Sequence, residues 1–186
     1  MQPVRNLAAA LMLAVAPVHA AGPFTVTSTE IQHKGVVAPQ QVYNDFGCKG
    51  GNVSPSLAWH NAPPGTRSFV ITVFDPDAPT GSGWWHWVVF NIPASARSLP
   101  AGAGDTTNPK LPEGATQSRT DFGKPGYGGP CPPVGDRPHR YYFTVHALKV
   151  EKLEGADENA SGAMISFMLN ANQIAKASVQ ATYGRR

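Results

Sequence analysis

Apolar residues recur along this chain in short runs whose spacing is that of β-strands. From 141 to 148 an apolar side chain stands at every second position, beginning with Tyr141 and ending with Ala147. Alternation with a period of two predicts a strand that turns one face toward a core. Other apolar runs predict further strands at 24–29, 56–59, 68–74, 86–92 and 178–183.

One later segment shows the spacing of an amphipathic helix. Ser161 suits an N-cap, because its hydroxyl can accept a hydrogen bond from a backbone N–H of the first turn. The apolar residues that follow fall on one helical stripe, which we expect to face the core. The members of this stripe are Met164, Phe167, Met168, Ala171, Ile174 and Ala175.

Glycine and proline are frequent, with 19 and 18 residues, and they are spread through the chain. This composition favours many strands joined by shaped loops over a helical bundle. No repeat or break in composition divides the sequence, which therefore predicts a single β-rich α+β domain. The segment 108–135 has little periodicity, and long loops of this kind are often functional.

Residues 1–20 have the pattern of a signal peptide. A positive charge at Arg5 precedes an apolar, alanine-rich stretch at 7–16, and small residues then allow cleavage after Ala20 or one residue later. An uncleaved membrane anchor is the alternative, but the apolar stretch is short for spanning a bilayer. We therefore expect one domain, 21–186, in the periplasm or outside the cell.

The charge of the chain points to no charged macromolecule as a partner. The formal net charge is +3, and the basic residues are scattered. A nucleic-acid partner would favour clustered basic residues, so none is expected. No later apolar stretch has the length of a bilayer span, so no integral membrane segment is expected after cleavage.

The two cysteines are Cys48 and Cys131, and neither belongs to a Cys-x-x-Cys or a Cys/His cluster. A structural zinc site is therefore not expected. In an exported chain we expect the two to form one disulfide bond. A reactive free thiol is the alternative.

Two proline-rich loops present polar residues next to predicted strands. The first, Asp75-Pro76-Asp77-Ala78-Pro79, follows one apolar run and precedes the strand that carries His86. The second covers 128–138 and leads into a strand that begins with His139. Rigid loops at the edge of a sheet are good places to hold polar groups against a ligand. We therefore expect one pocket built from two strand ends.

The same motifs resemble those of a known family. They read DPDAP at 75–79, GSGWWHWVV at 81–89 and CPPVGDRPHRY at 131–141, with support from GNVSP at 51–55 and RTDFG at 119–123. The chain resembles the phosphatidylethanolamine-binding proteins, in their bacterial Raf-kinase-inhibitor-like branch. The resemblance implies a large, mainly antiparallel sheet with a smaller sheet and one main helix in the C-terminal region.

The resemblance also implies a small pocket for anions, phosphoryl groups or lipid head groups, with no metal, cofactor or catalytic residue. The residues that match the pocket of the family are Asp75, Asp77, Pro79, His86, Gly129, Pro132, Pro133, His139 and Tyr141.

The chemistry of these residues fits an anion. Histidine N–H groups donate to anions, more strongly when the ring is protonated, and nearby carboxylates can orient the rings. We expect Asp75 to be bound to His86 or to loop N–H groups, and anion binding through protonated His86 to strengthen at low pH. Arg119 and Asp121 are interpreted as a buried ion pair that braces the long loop.

The sequence leaves three functions open. A periplasmic binding protein is the first, and an inhibitor or interaction protein with a partner in the envelope or outside the cell is the second. A hydrolase or metal enzyme built on the His and Asp residues is the third. No Gly-x-Ser-x-Gly or His-Glu-x-x-His motif is present, so an enzyme is not expected.

One departure from the family concerns the pocket border. Animal members carry a further helix after the last strand, whereas this sequence stops at Arg186. The pocket is therefore expected to be more open, or to be closed by the loop 110–129 or by a second subunit in a homodimer. The remaining histidines, His33, His60 and His146, are interpreted as surface or packing residues.

Overall fold

The computed structural model describes residues 22–186, and the predicted signal peptide lies outside the described residues. Nine strands and one α-helix follow one another along this part of the chain. Their bounds are β1 Thr25–Thr27, β2 Gly35–Val36, β3 Leu57–His60, β4 Ser68–Asp75, β5 Trp84–Pro93, β6 Ser98–Leu99, β7 Thr116–Gln117, β8 His139–Leu148, α1 Gly162–Asn172 and β9 Gln173–Tyr183.

The strands form two sheets. The larger has six strands in the order β2-β9-β8-β4-β5-β7, and every neighbouring pair is antiparallel except β2 and β9. The smaller is antiparallel, in the order β1-β3-β6. The predicted fold class, a large mainly antiparallel sheet with a smaller sheet and one main helix, is confirmed.

The central strands are buried on both faces. Phe69 and Ile71 of β4 pack in a cluster with Trp59 of the small sheet. Val70 points to the opposite face and packs in a second cluster with Ile165 of α1. Successive side chains of a strand alternate between faces, so the large sheet lies between the small sheet and the helix. This double burial explains why β4 reads as a continuous apolar run.

The helix begins where the sequence predicted but turns a different face to the core. The Ser161 hydroxyl accepts a hydrogen bond from the Met164 N–H at 3.1 Å, as expected of an N-cap. Ile165 and Leu169 are buried, whereas Met164 and Phe167 are 42% and 77% exposed.

Of the predicted stripe only Met168 packs against the second cluster, so the prediction was wrong for its other members. It joined residues of α1, which ends at Asn172, to Ile174 and Ala175, which already belong to β9. Two apolar rows exist on this helix, and the row that meets the second cluster is the one with Ile165 and Leu169. The last strand begins at Gln173 instead of 178 and pairs with β8 along its length.

Cys48 and Cys131 form a disulfide bond across 83 residues of sequence. The bond joins the loop after the short 3₁₀ turn Pro39–Gln41 to the loop that precedes β8. The prediction of one disulfide is confirmed, and neither sulfur is a free thiol. Among residues 22–186, no helix is both long and apolar enough to cross a bilayer.

Candidate functional site

Three strands of the large sheet meet at the edge where the predicted site residues lie. Because β4 is antiparallel to both β5 and β8, its end at Asp75 lies beside the start of β5, where Trp84 is its partner. The start of β8 lies on the other side of β4, with Tyr142 opposite Phe74. The sheet topology thus brings His86 of β5 and His139 of β8 to one edge.

A cavity of about 180 Å³ opens at this edge. Of the nine residues predicted for the site, seven line it: Asp75, Pro79, His86, Pro132, Pro133, His139 and Tyr141. Asp77 and Gly129 do not. The other walls are largely apolar and include Phe46, Trp84 and Phe122.

Asp75 is buried, and both of its carboxylate oxygens have partners. Oδ1 accepts a hydrogen bond from the Asp77 N–H at 2.8 Å, and Oδ2 lies 2.8 Å from His139 Nδ1. The expected bond to a loop N–H is present. The histidine that Asp75 holds is His139 and not His86, whose Nδ1 is bound to the Gly128 carbonyl instead.

His139 lies between two carboxylates. Its Nδ1 faces Asp75, and its Nε2 lies 3.3 Å from Oδ2 of Asp136 in the loop before β8. Only a protonated imidazole can donate from both nitrogens. The ring is buried, so these two acids determine its orientation.

His86 is held differently, by a backbone carbonyl. Its Nδ1 donates to the oxygen of Gly128 at 2.7 Å, and the rings of Phe122 and Tyr141 contact it edge-on. Burial lowers the pKa of His86, although the Gly128 carbonyl and the Asp75 charge partly offset this effect. From the sequence we expect this ring to bind an anion more strongly when it is protonated, and burial disfavours that form. While the ring is neutral, Nδ1 is its donor and Nε2 an acceptor.

Tyr141 brings a hydroxyl without a partner to the cavity. Its side chain is fully buried, and no other described residue lies within hydrogen-bonding geometry of the hydroxyl, although the Asp75 carboxylate is close enough to interact with it. Burial raises the pKa of Tyr141 well above its ordinary value, and the charge of Asp75 and its side-chain interaction with the hydroxyl add to the effect, so the group stays a neutral O–H. Among residues 22–186 two other buried polar atoms lack partners, on Trp59 and Ser118, and neither residue lines the cavity.

Asp77 clamps its loop onto β8. Its carboxylate accepts hydrogen bonds from the Arg140 backbone N–H and guanidinium at 2.8–2.9 Å and from Arg137 at 3.2 Å. The hydrogen bond from the Arg140 side chain is the main reason that the pKa of Asp77 falls to about 2. The residue therefore positions the 75–79 loop instead of lining the cavity.

Gly129 also has a structural role and does not line the cavity. Its N–H donates to Asn52 Oδ1 at 2.8 Å, and a Cβ at this site would collide with the backbone of Gln41. The residue is thus required for the close approach of the two loops that the disulfide joins.

Two aromatic walls were missed by the sequence interpretation. Phe122 lies in the long loop predicted to close the pocket, and it contacts His86 and Trp84. Phe46 comes from the disulfide-bonded loop and is 61% exposed. Its position has no periodic signal in the sequence, because a single aromatic residue in a loop gives none.

The predicted ion pair between Arg119 and Asp121 is not formed. Both residues are exposed, and Asp121 Oδ2 instead accepts a hydrogen bond from the Trp85 N–H at 2.7 Å. This bond secures the loop beside β5 and so places Phe122 over the cavity. Within the part of the chain that the structure describes, no group of three or more His, Cys, Asp or Glu side chains is arranged to hold a metal ion.

The model of the phosphatidylethanolamine-binding protein family matches residues 27–184 of this chain. The chain belongs to this family. The UPF0098 protein YbcL of Escherichia coli K12 is 55% identical over 163 residues, which cover 88% of this chain and 88% of YbcL. The UPF0098 protein YbhB of the same strain is 50% identical over 156 residues, which cover 84% of this chain and 97% of YbhB.

Solved structures of family members agree with the fold. The crystal structure of E. coli YbcL matches with a TM-score of 0.85 and covers 88% of this chain and 99% of its own. A family homologue from Chlamydia trachomatis, 28% identical, matches with a TM-score of 0.72 over 88% of this chain and 98% of its own. The architecture described above is therefore that of the family.

Proposed function

We propose that this protein is an exported binding protein that holds a small oxyanion, in particular a phosphoryl group, in the cavity at the edge of the large sheet. One observation carries the proposal. The cavity has apolar walls, yet it is lined by Tyr141, whose buried hydroxyl has no hydrogen-bond partner among the described residues, and by His86, whose Nδ1 is bound to Gly128 so that Nε2 is the nitrogen left for a ligand. Polar groups buried without partners cost free energy, and a ligand that pairs with them recovers it.

The family supports the chemical class of the ligand. Its members are named for a phospholipid head group, and anion or head-group binding is what membership implies. A phosphoryl group offers several acceptor oxygens, and apolar walls strengthen hydrogen bonds to them by excluding water. The cavity volume of about 180 Å³ suits a head group better than a whole lipid.

Binding without turnover is part of the proposal. Cys131 lines the cavity, but its sulfur is tied up in the disulfide. The hydroxyl of Thr80, also at the cavity, donates to the Gly83 carbonyl at 2.6 Å. Neither side chain is therefore prepared as a nucleophile. The disulfide also supports export, since such bonds persist in oxidising compartments.

The test is thermal and urea unfolding of the purified protein with increasing phosphoethanolamine. A ligand that binds only the folded state stabilises it by about 2.7 kcal/mol at a hundredfold excess over its dissociation constant. We expect such stabilisation in the wild type and in His60→Gln, an exposed histidine variant. His86→Gln should weaken this stabilisation, and so should Phe122→Ala, which opens the cavity and removes the ring that packs against His86.

An unchanged unfolding curve of the wild type at all phosphoethanolamine concentrations would contradict the proposal. Equal stabilisation of His86→Gln and wild type would place the binding site elsewhere. Release of inorganic phosphate from phosphoethanolamine by the wild type, lost in His86→Gln, would contradict binding without turnover.

A further inference from the structure

The orientation of His86 limits what it can offer a ligand. Its Nδ1 proton is committed to the Gly128 carbonyl at 2.7 Å, and the ring is fixed between Phe122 and Tyr141. The nitrogen that remains, Nε2, can therefore only accept a hydrogen bond while the ring is neutral. A bare anionic oxygen placed against this lone pair would be repelled.

The charged groups around the cavity also disfavour a fully ionised ligand. No lysine or arginine is among the described residues that line it. The guanidinium groups of Arg140 and Arg137 are bound to Asp77, and that of Arg185 donates to the backbone carbonyl of Pro132 at 2.6 Å, so none of the three is among the lining side chains. Asp75 lies inside the cavity, hydrogen-bonded to His139, so a doubly charged anion would stand near a carboxylate with no lysine or arginine beside it.

We propose that the site takes its oxyanion in the singly protonated form, with a P–OH donating to His86 Nε2 and a P–O⁻ accepting from the Tyr141 hydroxyl. The site would thus select phosphomonoesters and free phosphate over phosphodiesters. This inference rests on the proposed function and specifies the ligand of the same cavity.

The alternative is that His86 takes up a proton and donates to a fully ionised ligand. The titratable or charged groups that face its ring are Asp75 from β4, Tyr141 from β8 and Asp121 from the long loop. The carboxylates favour a protonated ring, but burial outweighs them and lowers the pKa of His86. If the ligand itself carries the proton, no new charge is placed on the buried His86 ring.

The consequence concerns the source of the phosphoryl group. The phosphate of an intact phospholipid is a diester and carries no proton at neutral pH. A phosphomonoester has its second pKa near about 6 and so supplies the monoanion readily. The protein would therefore recognise free phosphomonoesters and discriminate against the head group of an intact lipid.

Matched ligands test this directly. We would measure the affinity of the wild type at pH 7 for two matched pairs of ligands. The first pair is phosphoethanolamine and its diester, glycerophosphoethanolamine. The second pair is phosphate and sulfate, which has the same shape as phosphate but carries no proton. Phosphoethanolamine should bind at least about tenfold more tightly than its diester, and phosphate at least about tenfold more tightly than sulfate, since the ligand without a proton leaves the His86 Nε2 acceptor unpaired. His86→Gln, whose amide can donate, should narrow both differences, whereas His60→Gln should leave them unchanged.

The location of the proton is read from the phosphorus nucleus. The ³¹P resonance of bound phosphoethanolamine at pH 8 should have the chemical shift of the monoanion, although the free ligand is then a dianion. A bound resonance at the dianion position, or a diester that binds as tightly as the monoester, would overturn the inference while leaving the proposed function in place. Failure of all four ligands to bind would overturn both.

Discussion

The unpaired hydroxyl of Tyr141 leads to the prediction that its removal stabilises the protein. The side chain is fully buried and its hydroxyl has no hydrogen-bond partner among the described residues, so the folded chain does not replace the hydrogen bonds that this group makes with water when unfolded. Such a group costs about 1–3 kcal/mol. In Tyr141→Phe the ring stays in place and this cost disappears, so the free energy of unfolding should rise by about 1 kcal/mol or more.

Tyr127 provides the matched control, because it is also a buried tyrosine but its hydroxyl is satisfied. It donates to the Gln41 carbonyl at 2.9 Å. Tyr127→Phe removes that bond and leaves the carbonyl unpaired, which should lower the free energy of unfolding by about 1–2 kcal/mol. The same chemical change is thus expected to act in opposite directions at the two positions.

The assay is urea unfolding of both variants and the wild type, with phosphoethanolamine affinity measured alongside. Tyr141→Phe should be more stable yet bind about tenfold more weakly, since a hydrogen bond to a charged ligand contributes about 1.5–3 kcal/mol. Tyr127→Phe should be less stable with affinity unchanged. If Tyr141→Phe is destabilised as much as Tyr127→Phe, the hydroxyl has a partner in the folded protein and the reasoning is refuted.

Three further changes test the framework of the site. Replacing Cys48 and Cys131 by serine should lower the free energy of unfolding by about 4 kcal/mol, an upper value from chain entropy, and a loss below 1 kcal/mol would contradict the role given to the bond. Burial lowers the pKa of His146 to about 4, so the unfolded state binds the extra proton and stability should fall by about 1–3 kcal/mol as the pH drops from 7 to 4.5. His146→Gln should flatten that loss in urea unfolding. Asp77→Asn should lower the free energy of unfolding by about 1–2 kcal/mol at pH 7, and this loss should shrink as the pH falls from about 4 through 2, because the lowered pKa contributes stability only while the carboxylate is ionised.

Much of the fold could be predicted because the strands that build the site are also the most apolar. The predicted strands 68–74, 86–92 and 141–148 differ from β4, β5 and β8 by one to two residues at their ends. Burial on both faces gives these strands an apolar composition that stands out in the sequence. The helix face was mistaken because two apolar rows compete on α1, and only the position of the second cluster decides between them.

The protonation of the site could not be read from the sequence. His86 and His139 stand at equivalent positions after similar loops, which suggested similar roles. The structure distinguishes them by their partners, since His139 meets two carboxylates and His86 meets a backbone carbonyl. Partners contributed by residues more than forty positions away, such as Gly128, depend on the tertiary fold and leave no local pattern.

The central claim is that a phosphoryl ligand binds at His86. The most direct measurement is the ¹⁵N and ¹³C spectrum of histidine-labelled protein during titration with phosphoethanolamine. The account predicts that the His86 resonances move saturably, while those of the exposed His33 and His60 stay in place. A titration in which the His86 resonances do not move, or in which all histidines drift together without saturation, would contradict it.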